Sequence, residues 1–206
     1  MVNPLNKYFR KPAISISLPT QGEFYAPGAL TFDNDQELNV FPMTARDEMM
    51  MNSPDALLNS SATIDVIKSC VPGIRDPWSM PVIDLDTVLL GVRIASLGES
   101  MDISVIVPKV EETISYTVDL RVMMDQIDRS QFNPYVVLEP TLTVKVKPMS
   151  YRQLTNLQLR TYEQQRMITQ VAQGKMSASE KNKEFNEIFN RMTNLTLDNM
   201  KEAVLE

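Results

Sequence analysis

The sequence contains no histidine and a single cysteine, and these two shortages exclude most of the common catalytic and metal-binding chemistry. Without histidine the chain lacks the usual general base near neutral pH and every Ser-His-Asp or Cys-His arrangement. One cysteine can form neither an internal disulfide nor an ordinary four-ligand zinc site. The six glycines include no Gly-x-Gly-x-x-Gly and no Gly-x-x-x-x-Gly-Lys-Ser/Thr motif. We therefore expect a protein that is not an enzyme, with no cofactor and no metal.

Long hydrophobic runs are also missing. No run approaches the roughly 18 to 20 apolar residues that a membrane-spanning helix requires. Residues 1–11 are not followed by the apolar stretch and small-residue cleavage site that are typical of a signal peptide. We therefore expect no membrane partner, and synthesis and folding in a reducing cytosol.

Positive charge is scarce in most of the chain. Residues 1–150 contain 12 Lys and Arg against 19 Asp and Glu, whereas residues 151–206 contain 8 against 7. The net charge is −6, which argues against binding of nucleic acid through bulk electrostatics. The acidity belongs to the first part, so the two parts differ in surface chemistry.

Length and composition predict one folded core and a helical appendage. The chain has 206 residues, of which 43% are hydrophobic, and this suffices for one substantial core. We predict an α+β fold in which small antiparallel strands pack with short helices and a C-terminal helical hairpin follows. The predicted division is an extended N-terminal arm with short strands (1–43), an α+β body (44–149) and the hairpin (150–206).

Two short helices are predicted early in the body. Thr44 and Asp47 have the spacing of a capping box, so that a helix begins after Thr44 and ends before Pro54. Apolar residues at three- and four-residue spacing predict a second helix at 62–71, in which Cys70 faces a core.

A third helix is predicted from Asp84 or Asp86 to residue 96, with Gly98 just beyond its end, and a fourth at 119–127. The two acidic residues allow two interpretations. They are the candidate for a divalent-ion site or an acid/base pair, or they stabilise the positive end of a helix. We favour the second interpretation, because both lie where a helix should begin.

Alternation of apolar and polar residues predicts strands. Short pieces occur at 14–18 and 38–41 in the arm, and a hairpin is predicted from 103–107 and 114–118. The segment 141–147 alternates most regularly, which predicts one face on a core and one in water.

The C-terminal hairpin is predicted from helices at 151–173 and 177–205, with Gly174 between them. Ser177 and Glu180 have the spacing of a capping box. The second helix carries an apolar stripe that must be buried against the first helix, the body or a partner.

Two features are candidates for partner binding. The first is the stripe of the last helix, formed by Phe185, Ile188, Phe189, Met192 and Leu195. The second is Trp78, which either anchors an interface or is buried under a neighbouring helix.

A series of residues in the middle of the chain matches a known family in order and spacing. The series comprises Ser69, Cys70 and Val71; Asp86, Leu89, Leu90, Arg93, Ser96 and Gly98; Val107, Pro108, Lys109 and Val110; and Val118, Asp119 and Leu120. In this series the chain resembles the baseplate hub assembly proteins of T-even-type contractile-tailed bacteriophages. Some relatives have cysteines in the third block, suited to half a metal site. Here Val107 and Val110 stand there, so we expect apolar packing instead of metal.

The resemblance implies a minor subunit of the baseplate hub or an assembly chaperone, whose partners are hub and tape-measure proteins. Its location is then the host cytoplasm during assembly, and the tail baseplate if it is retained in the virion. Self-association into a homo-oligomer stays open. Two other functions also stay open: a carboxylate-dependent tail-associated hydrolase, and an adaptor that binds partner peptides by strand addition along 14–18 or 141–147.

Overall fold

A computed structural model describes residues 10–33, 35–53, 60–106, 113–129, 132–174 and 176–205. Within these residues the fold is α+β, as predicted, with three two-stranded antiparallel sheets and six α-helices, the last two of them C-terminal. The chain forms two compact units, residues 1–132 and 133–206. The predicted three-part division stays a prediction, because it rests on sequence composition and pattern, whereas the two units are defined by contacts within the chain.

Unit 1 alternates short strands and helices. Its elements are β1 (Ile14–Ser17), β2 (Glu37–Val40), α1 (Ala45–Met51), α2 (Ser61–Cys70), a 3₁₀ turn (Pro77–Ser79), α3 (Val82–Leu97), β3 (Ser100–Ile106), β4 (Thr113–Asp119) and α4 (Leu120–Arg129). All four helices predicted here are present. Three start within one residue of the prediction, and α3 starts at Val82, two residues before Asp84 and four before Asp86. The predicted hairpin connection, residues 108–112, lies outside the described residues.

The core of unit 1 is closed by side chains from β2, α2, the following loop and α3. Its most deeply buried members include Leu38, Val40, Ile67, Ile74, Met80 and Val88. A close approach of backbone to backbone sets one wall. A Cβ built on Gly73 would lie 2.6 Å from the carbonyl oxygen of Thr31, so only glycine fits. The Thr31 N–H donates to the Gly73 carbonyl oxygen at 2.8 Å, which fixes this approach.

The start of α1 is held by a polar cluster around Asp47. Thr44 and Asp47 form the predicted capping box, with the Thr44 N–H donating to the Asp47 carboxylate at 2.8 Å. The Ser69 hydroxyl donates to the same carboxylate at 2.9 Å, and the Arg10 guanidinium lies 3.7 Å away. Burial raises the pKa of Asp47, but these hydrogen bonds and the Arg10 charge outweigh it and hold the pKa below its usual value. The cluster therefore connects the N-terminal segment to α1 and α2.

Unit 2 consists of β5 (Tyr135–Glu139), β6 (Leu142–Lys145), α5 (Tyr151–Gln173) and α6 (Ala178–Ala203). Both helices begin at a capping box, and the one at Ser177 and Glu180 was predicted. Hydrogen bonds from Ser177 lower the pKa of Glu180.

The sheet of unit 2 differs from its prediction. The sequence reading missed β5, because Tyr-Val-Val-Leu-Glu has no alternation. The predicted burial of one face of 141–147 is wrong at Leu142, which is 48% exposed. At the other end of β6 the C-terminal segment pairs with the strand, since the Leu205 N–H donates to the Lys145 carbonyl oxygen at 2.8 Å, and Val144 is half-buried there.

Candidate docking surfaces

The acidic pair predicted at the start of the third helix does not form a shared site. Asp84 is fully buried in the first turn of α3, whereas Asp86 is exposed. The Thr20 N–H and hydroxyl donate to Asp84 at 3.1 and 2.5 Å. Burial raises the pKa of Asp84, and the hydrogen bonds from Thr20 offset only part of this. Asp84 therefore anchors the Thr20 loop to α3. It lies in the first turn of α3, as the second interpretation requires, but no side chain caps this helix, so stabilisation of the helix end by both acids stays a prediction.

Cys70 is the one thiol of the chain, and it is buried at the end of α2, as predicted. Burial raises its pKa to about 11, so the thiol stays protonated near neutral pH and is a poor nucleophile. Within the described ranges, no group of three or more Cys, Asp or Glu side chains is placed to hold a metal ion. In the same part of the chain, no helix is both long enough and apolar enough to cross a membrane.

Helices α5 and α6 pack antiparallel along a seam with heptad spacing. The Gln153 amide donates to Glu202 at 2.7 Å at one end, and the Lys181 amine donates to the carbonyl oxygen of Ala172 at 2.9 Å at the other. The buried or half-buried seam positions are Leu154, Leu157, Thr161, Gln164, Ile168 and Val171 on α5, and Lys181, Phe185, Ile188, Met192, Leu195 and Asn199 on α6. Positions spaced alternately by three and four are those of a coiled-coil interface.

The stripe predicted for partner binding divides between this seam and the surface. Ile188 is 2% exposed and belongs to the seam, with Phe185, Met192 and Leu195 half-buried beside it. Phe189 is 56% exposed. Trp78 lies in unit 1 on the 3₁₀ turn, half-buried, so the structure does not unite it with the stripe in one compact unit. Partner binding by these six residues stays a prediction.

A second face of α6 was missed because its members are not all apolar. Phe189, Thr193, Thr196 and Met200 follow one another at spacings of four, three and four, so they lie on one side of the helix; we call this the outer face of α6. The Thr193 and Thr196 hydroxyls donate to the carbonyl oxygens of Phe189 and Met192. With the hydroxyls satisfied inside the helix and Met200 61% exposed, the outer face offers mostly carbon to solvent.

Comparison with protein families gives one match, which covers most of the chain. The family described as T4 bacteriophage base plate protein matches residues 29–206. The chain belongs to this family. It is therefore a phage baseplate protein, which confirms the coarser part of the resemblance seen in the sequence. No curated protein and no solved structure matches the chain.

The part of this baseplate protein that matches the family includes unit 1 from residue 29 onward and all of unit 2, with the outer face of α6. Unit 1 adds an apolar recess of about 470 Å³ between α1, α2 and α3. Its apolar walls are Met43, Met51, Val66, Leu89, Val92 and Leu97. No sequence pattern signals the recess, because its residues come from separate elements that converge only in the fold.

Proposed function

We propose that this baseplate protein is a non-enzymatic component of the baseplate hub, or a chaperone of its assembly, and that it acts by binding hub and tape-measure proteins. Binding takes place in the host cytoplasm during assembly, and a retained subunit stays in the virion tail. Baseplates are built from many protein contacts, so a member needs surfaces that are stable in water yet favour a partner.

The exposed outer face of α6 is the observation that carries this proposal. Phe189 and Met200 expose more than half of their surface while the neighbouring Ile188 is buried. A two-helix hairpin has a narrow seam, and an apolar face beside that seam is suited to a third helix of a partner, with anchors at three- and four-residue spacing. The net charge of −6, the lack of histidine in the sequence and the lack of a metal-binding cluster among the described residues agree with this mode of action.

The test is recovery of partners from infected cells with tagged protein, followed by mass spectrometry of the recovered proteins and of mature particles. We expect baseplate hub or tape-measure proteins to be recovered. Phe189→Asp should abolish recovery, because a charge would be desolvated in the interface. Leu159→Asp on α5 is the matched control, since Leu159 is 51% exposed but lies on the other helix. Equal recovery of hub proteins with both variants would refute docking through α6.

A further inference from the structure

The β3–β4 ribbon has one apolar face and one face that is polar except for Ile106, which pairs with Thr113. Its register places apolar residues opposite each other in the pairs Met101 with Val118, Ile103 with Tyr116, and Val105 with Ile114. Ile114 is 54% and Tyr116 is 51% exposed. On the polar face the Ser104 and Ser115 hydroxyls share a hydrogen bond of 2.8 Å, and Thr117 donates to Asp102 at 2.6 Å. These cross-strand bonds fix the register, so the ribbon presents a defined surface.

The outer edge of β4 is open. Among the described residues, the backbone of Thr113–Asp119 makes hydrogen bonds to no strand other than β3. The edge of β3 is different at its base, where Arg93 donates to the carbonyl oxygens of Gly98 and Ser100 at 3.2 and 3.4 Å. Strand addition is therefore easier beside β4 than beside β3.

Open edges are normally protected, and the other sheets of this protein show how. The β5–β6 pair is interrupted by a register shift between Val137 and Glu139, and the C-terminal segment covers the end of β6, where the Leu205 N–H donates to the Lys145 carbonyl oxygen at 2.8 Å. Irregular pairing and a covered edge both discourage the addition of further strands. The β1–β2 pair lies against the core, with Ile16 and Leu38 buried. β4, with the sequence Thr-Ile-Ser-Tyr-Thr-Val-Asp, has neither lysine nor proline and pairs with β3 without a shift.

The surroundings of the ribbon are acidic. Residues 99–127 contain six acidic and two basic residues, an excess of four negative charges. Asp102, Asp119 and Asp125 are exposed. Of the nearby bases, Arg121 is paired with Glu99, and Arg93 lies at the base of β3, on the edge away from β4. Asp102 and Asp119 both lie on the polar face, because their strand positions alternate with the apolar pairs.

We propose that the outer edge of β4 binds an extended segment of a partner in which apolar residues alternate with lysine or arginine. The added strand completes a three-stranded sheet. Its apolar side chains continue the face formed by Ile114 and Tyr116, and its basic side chains lie on the face that carries Asp102 and Asp119. This inference rests on the proposed function, since it specifies a second contact by which the baseplate protein holds a partner.

The test uses the full chain and a fluorescent synthetic peptide that alternates lysine and valine over about seven residues, the length of β4. We expect saturable binding by fluorescence anisotropy. A peptide with glutamate in place of lysine should bind at least about tenfold more weakly, because its charges repel the ribbon. A peptide N-methylated at alternate residues keeps its side chains but loses the backbone donors, and it should not bind. Equal binding of the N-methylated peptide would overturn strand addition.

Two variants assign the binding to the ribbon. Tyr116→Ser removes the largest exposed apolar group of β4 and should weaken binding about tenfold. Asp102→Asn keeps the oxygen that accepts from Thr117 but removes the charge, and it should weaken binding about threefold. Asp65→Asn removes the same charge from an exposed position on α2 and serves as the control. An equal effect of the two aspartate variants would contradict the assignment to the ribbon.

Folding and the competing occupant are checked on the same samples. Amide exchange in β3 shows whether the ribbon of each variant is intact. If Tyr116→Ser loosens the ribbon, the effect of Asp102→Asn alone decides whether the peptide binds there. Sedimentation tests whether a second copy covers the edge of β4. The proposal would fail if the protein forms a dimer that Tyr116→Ser dissociates but that the lysine–valine peptide leaves intact. Loss of peptide binding with hub recovery still sensitive to Phe189→Asp would remove this inference and leave the proposed function standing.

Discussion

The core of unit 1 and the helical hairpin of unit 2 use apolar side chains in opposite ways. In unit 1, Leu38 and Ile67 are fully buried among residues from distant parts of the chain. In the hairpin, the two helices meet along a narrow seam, and Phe189 and Met200 remain largely exposed. The free energy of burying those two side chains is therefore available to a partner. The difference shows that the core of unit 1 buries its apolar side chains within the chain, whereas the hairpin leaves some exposed, and the proposed docking through α6 depends on these.

The largest expected effect is at the centre of unit 1. Ile67→Ala should lower the free energy of unfolding by about 3 to 4 kcal/mol, because it removes buried methylene groups and leaves a cavity in a closed core. Met200→Ala, a truncation at an exposed position, should change it by less than about 0.5 kcal/mol. Urea unfolding followed by circular dichroism measures both. Similar losses from the two substitutions would remove the distinction between core and docking surface.

A smaller effect is expected where two backbone segments of unit 1 meet. Gly73→Ala would place a methyl group 2.6 Å from the Thr31 carbonyl oxygen and 2.7 Å from the Leu38 side chain, and should cost about 2 kcal/mol of unfolding free energy. Gly174→Ala, at the end of α5, meets its nearest atom at 3.2 Å and should cost less. Thermal unfolding of the two variants checks this order, and the reverse order would show that the loop at Gly73 yields easily.

Local signals in the sequence predicted most of the helices, and long-range packing accounts for what they missed. Thr44 with Asp47 and Ser177 with Glu180 are capping boxes that operate within one turn, so the sequence alone locates them. The hydrogen bond from Thr20 to Asp84 joins residues 64 positions apart, and no rule of local spacing predicts it.

The sequence predicted the apolar stripe of α6 but could not say which of its residues are buried. An apolar stripe is visible at helical spacing, but which of its members face the neighbouring helix depends on where the seam runs. The sequence therefore grouped Ile188 with Phe189, although the seam buries the first and exposes the second. The outer face escaped detection because Thr193 and Thr196 count as polar until their hydroxyls are seen to bond within the helix.

The stability of unit 1 should depend on pH through Asp47. The pKa of Asp47 is lower in the folded state than in the unfolded state. Its contribution to stability is therefore complete above the unfolded pKa of 3.8 and is lost as the pH falls through the folded pKa. Asp47→Asn should lower the free energy of unfolding by about 1.5 kcal/mol at pH 7 and by progressively less below pH 3.8. Urea unfolding across this range measures the difference. A pH-independent difference would mean that shape rather than charge holds the cluster.

Asp84 supplies the control of opposite sign. Its pKa is raised in the folded state, so the folded chain binds a proton more tightly than the unfolded chain does between 3.8 and the folded value. Relative to Asp84→Asn, the native protein should therefore lose stability as the pH rises through that window. Parallel pH profiles for the two aspartate variants would contradict the opposite shifts.

The smallest effect on stability is expected at the residue with the largest effect on assembly. Phe189→Ser should change the free energy of unfolding by less than about 0.5 kcal/mol, because the ring is already 56% exposed. Ile188→Ser, one position away and 2% exposed, should destabilise the hairpin by about 3 kcal/mol. Hub-protein recovery should nevertheless be lost with Phe189→Ser at a temperature where the hairpin is folded, as amide exchange in α6 would show. If Phe189→Ser instead loosens α6 as much as Ile188→Ser does, the ring stabilises the hairpin itself, and the outer face is no free surface for a partner.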